Sequence, residues 1–153
     1  MYAGGMKTPE GKVIGWRELD SLQEAIDKNF MALKQDTEIL GDHVVRLTVN
    51  EALTRTAQRR KIRPEEIDWY LPHYSSEFFR DKIHNAMAEV GFKIPYERWF
   101  TNLTYKGNTG AASIYVMLEE IFHSDKLKEG QKILCYIPES GRFSVAYILL
   151  TVV

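Results

Sequence analysis

The sequence contains a single cysteine, Cys135, among its 153 residues, which excludes an internal disulfide. A chain without disulfides suits a reducing compartment, so we expect a cytoplasmic protein. Long apolar runs are also lacking, because the longest, Val145 to Val153, is far shorter than the roughly 20 residues of a membrane-spanning helix. No apolar segment follows a charged N-terminal start, so the sequence predicts neither a secretory signal nor a membrane partner.

An excess of charge of one sign is lacking as well. The 20 basic and 21 acidic residues leave a formal net charge of −1, so no overall field attracts nucleic acid. The one basic cluster runs from Arg59 to Arg63. It fits either a solvated helix end, where cations are favoured, or a landing patch for an acidic partner, and the sequence leaves both interpretations open.

Patterns for metal and phosphate binding are missing too. No two of the four histidines are three or four residues apart, and no glycine-rich phosphate loop occurs, so we expect no metal and no bound cofactor. His43, His84 and His123 fall in polar helical stretches and are predicted to lie on the surface. Cys135 lies in an apolar stretch, which predicts a buried, inert thiol.

What the chain does contain is the composition of a globular domain. Hydrophobic residues make up 44% and charged residues 27%, and the length is enough for one core. Residues 1–20 are rich in glycine and turn residues, which predicts a loop or hairpin remnant with a short strand at Val13-Ile14. We therefore predict that residues 21–153 form the domain.

Two helices are predicted at the start of this domain. Ser21 and Glu24 form a capping-box pattern, which predicts a helix from there to about Leu40, with Leu33 on its apolar stripe. Gly41-Asp42 predicts a break in the chain. A second helix is predicted from His43 to about Arg60, since apolar residues recur there at every fourth position.

After residue 62 the pattern alternates between strands and helices. Strands are predicted at 69–72, 99–103, 133–137 and 143–153, the last two joined by a hairpin turn at 138–141. Helices are predicted from Ser75 or Ser76 to Gly91 and from Thr109 to about His123. This order predicts an α/β fold, a three-layer α/β/α arrangement around a mixed sheet of about four to five strands whose last strand is antiparallel.

Two polar side chains stand where reactive groups collect in such a sheet. His73 directly follows the first strand, and Asn108 follows the second after a short loop, so both are predicted on one rim. An imidazole N–H and a carboxamide N–H that converge there can stabilise a developing oxyanion. The alternatives are structural: His73 packs in the core of a generic α/β domain, and Asn108 caps the helix.

Two segments carry a family resemblance. Glu66 to His73 resembles a strand that ends in Pro-His, and Tyr105 to Ser113 resembles a Gly-Asn-Thr-Ser-Ala-Ala-Ser motif. From about residue 40 to the C-terminus, the chain is similar to the C-terminal half of a type III ketoacyl-acyl-carrier-protein synthase of the thiolase-like superfamily.

The resemblance implies a decarboxylative condensation of an acyl thioester with malonyl-acyl carrier protein, as in fatty-acid or polyketide biosynthesis. His73 and Asn108 would be the histidine and asparagine of the Cys-His-Asn triad, and Gly141 would contribute an oxyanion-hole N–H. Arg80 or Lys82 would contact the carrier. Acyl-coenzyme A and acyl carrier protein are the implied substrates and partners, and the full-length protein is expected to be a homodimer.

The resemblance also implies what the chain lacks. The family's nucleophilic cysteine lies in an N-terminal half with no counterpart here, so the segment alone is expected to be inactive. Tyr74-Ser75-Ser76 replaces the usual Gln-Ala-Asn after the histidine, and Glu139-Ser140 replaces part of a glycine-rich turn. These departures favour an alternative, a non-catalytic thiolase-fold subunit that binds an acyl carrier or completes a heterodimer.

Overall fold

The structure is a computed structural model that describes residues 5–32, 37–141 and 143–153. The chain divides into two compact units, Met1–Leu40 and Gly41–Val153. The domain boundary predicted from the sequence, between residues 20 and 21, stays a prediction.

A small hairpin opens the first unit. Strands β1 (Gly5–Lys7) and β2 (Val13–Gly15) pair antiparallel. The turn between them is closed by Thr8 N–H donating to the Lys12 carbonyl at 2.8 Å, with Gly11 at a φ of +84° that favours glycine. The short strand predicted at Val13-Ile14 is therefore confirmed.

The first helix is shorter than predicted. Helix α1 (Leu22–Asp27) is capped by Ser21, whose hydroxyl accepts the Glu24 N–H at 3.1 Å, as the capping-box pattern predicts. It ends because Asn29 adopts a φ of +49°, so the prediction of one helix reaching Leu40 is wrong. Leu33, assigned to its apolar stripe, lies outside the described residues.

The next helical stretch passes through the predicted break. Helix α2 (Thr37–Val45) leads through a π-helical turn (Arg46–Glu51) into α3 (Ala52–Arg60), so the break predicted at Gly41 is wrong. A glycine inside a helix costs only about 1 kcal/mol, which flanking turns can absorb. The helix predicted from residue 43 to residue 60 is confirmed. It ends where Lys61 turns left-handed, at a φ of +54°.

The central sheet has the order β3-β4-β5. Strands β3 (Trp69–Pro72) and β4 (Lys132–Glu139) pair parallel, and β5 (Ser144–Thr151) pairs antiparallel with β4, so the mixed sheet with an antiparallel last strand is confirmed. The strand predicted at residues 99–103 is wrong. Trp99 forms only an isolated parallel bridge to Tyr70, which leaves three strands among the described residues of this sheet instead of four or five.

Helices cover both faces of the sheet. On one face, α6 (Ser113–Phe122) packs Ile114, Met117 and Ile121 against the odd-numbered residues of β3 and β4. The buried cluster there comprises Leu71, Phe100, Ile114, Met117, Ile121, Ile133 and Cys135. On the other face, the π-helical turn buries Thr48, whose hydroxyl hydrogen-bonds to the Tyr136 hydroxyl at 2.6 Å. The sheet is therefore a middle layer, as the predicted α/β/α arrangement requires.

Two further helices complete the second unit. Helix α4 (Arg80–Glu89) follows a short 3₁₀ turn (Glu77–Phe79), and Ser76 stands directly before that turn, as predicted. The predicted C-terminal glycine, Gly91, has a φ of +71°. Helix α5 (Leu103–Lys106) occupies part of the segment predicted as a strand.

Candidate active site

His73 extends the parallel pairing of β3 and β4 by one residue. Its backbone N–H donates to the Tyr136 carbonyl at 2.8 Å, which fixes the residue at the carboxyl end of β3. Its side chain is buried, with 9% of the residue exposed. Burial lowers the pKa of His73 from 6.5, and the negative charge of Glu139 opposes that effect without reversing it. At neutral pH the imidazole is therefore uncharged, with one ring N–H to donate.

The loop around Asn108 is shaped by two glycines. Gly107 and Gly110 have φ values of +77° and +59°, conformations that other residues rarely adopt. The Asn108 side-chain oxygen accepts the Gly110 N–H at 2.9 Å. Because the oxygen is held in this way, the two N–H groups of the carboxamide remain available to another acceptor. Asn108 is exposed and follows helix α5, whereas the sequence predicted that it follows a strand.

A small cavity connects the His73 region with this loop. His73 lines it together with Asn102 and Ser113, two buried polar residues, and with Gly107, the residue directly before Asn108. The Asn108 loop thus reaches the cavity wall through Gly107. The roles of His73 and Asn108 in catalysis stay predictions.

Gly141 lies in the turn between β4 and β5 and is exposed. Its backbone N–H, predicted to serve an oxyanion, donates to the Glu139 carboxylate at 2.6 Å. Arg142, the next residue, lies outside the described part of the chain. The role of Gly141 as an oxyanion-hole donor stays a prediction, and the N–H has a carboxylate as its partner.

Arg80 and Lys82, predicted to contact a carrier, lie at the exposed start of α4. The Arg80 guanidinium carbon is 4.6 Å from the centre of the Tyr96 ring, and the Lys82 ammonium is 4.0 Å from the centre of the exposed Phe78 ring. Both cations are therefore placed by aromatic rings, an arrangement that leaves their charge at the surface. Binding of a carrier at this surface stays a prediction.

The remaining histidines and the cysteine have simpler environments. His43 and His123 are exposed, as predicted. His84 is half-buried, because it stacks on Tyr96 with ring centres 4.1 Å apart, so its prediction as a plain surface residue is wrong. Cys135 is buried, as predicted, and burial raises the pKa of its thiol to about 12. The inertness of this thiol stays a prediction.

The basic cluster at the end of α3 does not line the cavity that contains His73. Arg59 and Arg60 line a groove of about 740 Å³ between α3 and β5, together with Arg55 and Tyr147. Arg63 instead pairs with Glu66 at 3.2 Å. Both interpretations of this cluster, a solvated helix end or a landing patch for an acidic partner, therefore stay open.

The described residues show neither a metal-binding cluster nor a membrane-spanning helix. Across residues 5–32, 37–141 and 143–153, no three histidine, cysteine or carboxylate side chains gather closely enough to hold a metal ion. In the same ranges, every helix is too short or too polar to cross a bilayer.

Glu139 was not predicted from the sequence as a residue of this rim. The sequence placed it only in a hairpin turn, whereas the structure places it at the last position of β4, in contact with the Gly141 N–H. The sequence did contain a signal: Glu139 stands two residues before Gly141. It also ends a strand that is parallel to the strand before His73.

Comparisons with known proteins identify the family to which the chain is similar. Residues 57–142 match the family described as 3-oxoacyl-(acyl-carrier-protein) synthase III C terminal. A beta-ketoacyl-acyl-carrier-protein synthase III of Prochlorococcus marinus (strain NATL2A) is 36% identical over 98 residues, covering 62% of this chain and 28% of its own length. The enzyme of the same name from Chlamydia pneumoniae is 31% identical over 126 residues, covering 82% of this chain and 32% of its own length.

A solved structure shows the same fold. The beta-ketoacyl-acyl-carrier-protein synthase III of Thermus thermophilus superposes with a TM-score of 0.64 at 23% identity, covering 95% of this chain and 38% of the other. The chain thus spans about a third of the length of the curated relatives it matches. Because the family match covers more than half of the chain, the chain belongs to the family of C-terminal domains of 3-oxoacyl-(acyl-carrier-protein) synthase III, a family of condensing synthases.

Proposed function

We propose that the chain is the C-terminal portion of an acyltransferase that condenses an acyl thioester with malonyl-acyl carrier protein. In this reaction, an enzyme thiol first takes the acyl group from acyl-coenzyme A. The malonyl thioester then loses its carboxylate as CO₂, and the electron pair of the broken bond moves onto the thioester carbonyl to give an enolate. The enolate carbon attacks the acyl carbonyl, and the enzyme thiolate leaves.

The observation that supports the proposal most is the burial of His73 at the carboxyl end of β3. A carbonyl that becomes an enolate oxygen needs hydrogen-bond donors already in place, in a site with little water. His73 is buried at the end of a strand, and its lowered pKa keeps the imidazole neutral, so its N–H is donated without the cost of burying a charge. Asn108 would supply the second donor through its carboxamide, whose oxygen is already held by Gly110.

The acyl-accepting thiol must come from elsewhere in the polypeptide. Cys135 is the only cysteine of the chain, and a buried thiol with a pKa of about 12 is almost entirely un-ionised at neutral pH. We place the nucleophile in an N-terminal half of the same fold, which the length of the relatives leaves room for. This chain alone is then inactive.

The partners follow from the same chemistry. Acyl carrier protein would dock on the exposed Arg80 and Lys82 at the start of α4, because both side chains offer positive charge at the surface. Coenzyme A and carrier thioesters serve as substrates, and the site uses no bound cofactor. The full-length protein is proposed to be a homodimer in the cytoplasm.

Intact-protein mass spectrometry tests this proposal. The full-length protein, incubated with acyl-coenzyme A, is expected to gain the mass of one acyl group per chain, because covalent capture precedes condensation. This 153-residue chain, treated in parallel, is expected to gain none. A full-length protein that stays unmodified with every acyl-coenzyme A offered would contradict the proposal.

A second candidate is a non-catalytic subunit of thiolase fold that binds an acyl carrier or completes a heterodimer. Glu139 favours it, because its carboxylate holds the N–H of Gly141 that a catalytic site would offer to an oxyanion. The same mass measurement distinguishes the two, since a non-catalytic subunit captures no acyl group.

A further inference from the structure

A carboxylate stands on the rim where His73 lies. Glu139 is the last residue of β4, three positions beyond Tyr136, and the Tyr136 carbonyl accepts the His73 N–H at 2.8 Å. Because β3 and β4 are parallel, their carboxyl ends meet at one edge of the sheet. Glu139 and His73 therefore belong to the same edge, although 66 positions separate them in the sequence.

The Glu139 side chain folds back onto the turn. Its Oε1 accepts the Gly141 N–H at 2.6 Å, and a Cβ added to Gly141 would meet the same oxygen at 2.9 Å. A side chain at position 141 would therefore push the carboxylate away. Within the described ranges, no lysine or arginine nitrogen lies within 4 Å of the Glu139 carboxylate, and the carboxylate accepts the Gly141 N–H.

Glu139 also acts on His73. Two causes set the direction of the His73 pKa: burial, which lowers it, and the charge of Glu139, which raises it. The Glu139 carboxylate thus accepts the N–H of Gly141, the donor proposed for the acyl oxyanion. Its charge also acts on the imidazole of His73, the donor proposed for the enolate oxygen.

We propose that Glu139 is a positioning residue of this site: its carboxylate holds the Gly141 N–H until a substrate oxygen replaces it, and it adds a negative charge to the rim where His73 lies. The inference rests on the proposed function, which gives Gly141 and His73 their roles. A purely local alternative is a glutamate that only closes its own turn through the residue two positions on. That alternative predicts no effect on His73.

Nuclear magnetic resonance on the 153-residue chain separates the two. In the unmodified chain, the Gly141 amide proton is expected to shift as the Glu139 carboxyl titrates, because a carboxylate and a carboxylic acid bind an N–H with different strength. In Glu139→Gln this pH response should disappear. The His73 imidazole should titrate at a lower pH in Glu139→Gln than in the unmodified chain, because the charge that favours the imidazolium is gone.

Two further variants complete the test. Glu139→Asp keeps a carboxylate that can bind the N–H two residues on, so both responses should survive. Ser140→Ala, the matched control in the same turn, should leave both unchanged. An unaltered His73 titration in Glu139→Gln would overturn the proposal in favour of a local turn contact, and a Gly141 amide that ignores pH in the unmodified chain would overturn it altogether.

These readouts need no enzymatic activity. Failure of the full-length protein to capture an acyl group would therefore contradict the proposed function while leaving the Glu139 contacts to be judged by the titrations alone.

Discussion

Replacing His73 by alanine in the full-length protein is expected to slow malonyl decarboxylation by roughly 10²–10³-fold, the typical cost of removing one oxyanion-hole donor. The loss is expected in the turnover number, because the hydrogen bond strengthens only as the carbonyl becomes an enolate. The release of CO₂ from malonyl-acyl carrier protein measures it directly.

His123→Ala is the matched control for this experiment. His123 is exposed at the end of α6, where its ring lies 3.9 Å from a Glu119 carboxylate oxygen, so its loss should leave the rate unchanged. Circular dichroism and the melting temperature show whether each variant is folded. A folded His73→Ala protein that decarboxylates at the wild-type rate would remove His73 from the mechanism.

The second large effect concerns the chain on its own. We expect the 153-residue chain to form no condensation product, because its one thiol is buried and almost un-ionised, and we expect addition of the separately produced N-terminal half to restore product formation. The amount of 3-oxoacyl product, determined by mass spectrometry, measures both. The chain alone is expected to show no detectable turnover, and the chain reassembled with the N-terminal half is expected to turn over.

Cys135→Ala provides the control for reassembly. If the nucleophile lies in the other half, the variant chain should reassemble with the N-terminal half to the same activity as the unmodified chain. Product formed by the chain alone, or activity lost with Cys135→Ala, would place the nucleophile at Cys135 and contradict this account.

Local signals in the sequence were sufficient for the elements that carry His73. The strand ending in Pro72-His73 and the strand around Cys135 are short apolar runs bounded by polar residues, and both form as predicted. The N-cap at Ser21 and the positive φ at Gly91 are also decided by neighbouring residues, so they could be predicted. The order of strands and helices was then enough to predict the α/β fold.

Elements decided by distant contacts could not be predicted. The segment from Trp99 looked like a strand, yet the Trp99 indole N–H donates to the Ile94 carbonyl at 2.9 Å, a contact to its own loop. The segment reaches the sheet through the Phe100 N–H, which donates to the Tyr70 carbonyl, before the chain turns into α5. Short apolar runs fit a strand or a buried loop equally well, and tertiary packing decides between them.

The candidate site shows the same division. The sequence predicted His73, Asn108 and Gly141 from motifs, but not that Glu139 contacts the Gly141 N–H or that Gly107 shares a cavity wall with His73. The first contact spans only two residues, so its signal in the sequence was local. The second depends on how a loop folds against a strand far away in the sequence, and no spacing rule predicts it.

The measurement that tests the central claim most directly is the malonyl decarboxylation rate of the His73→Ala, Asn108→Ala and double variants of the full-length protein. If the imidazole and the carboxamide serve one oxygen, they act as a unit, and the double variant should be at most about tenfold slower than the slower single variant. If the fold-loss of rate in the double variant equals the product of the fold-losses in the two single variants, the two side chains act independently. That result would contradict the shared oxyanion site.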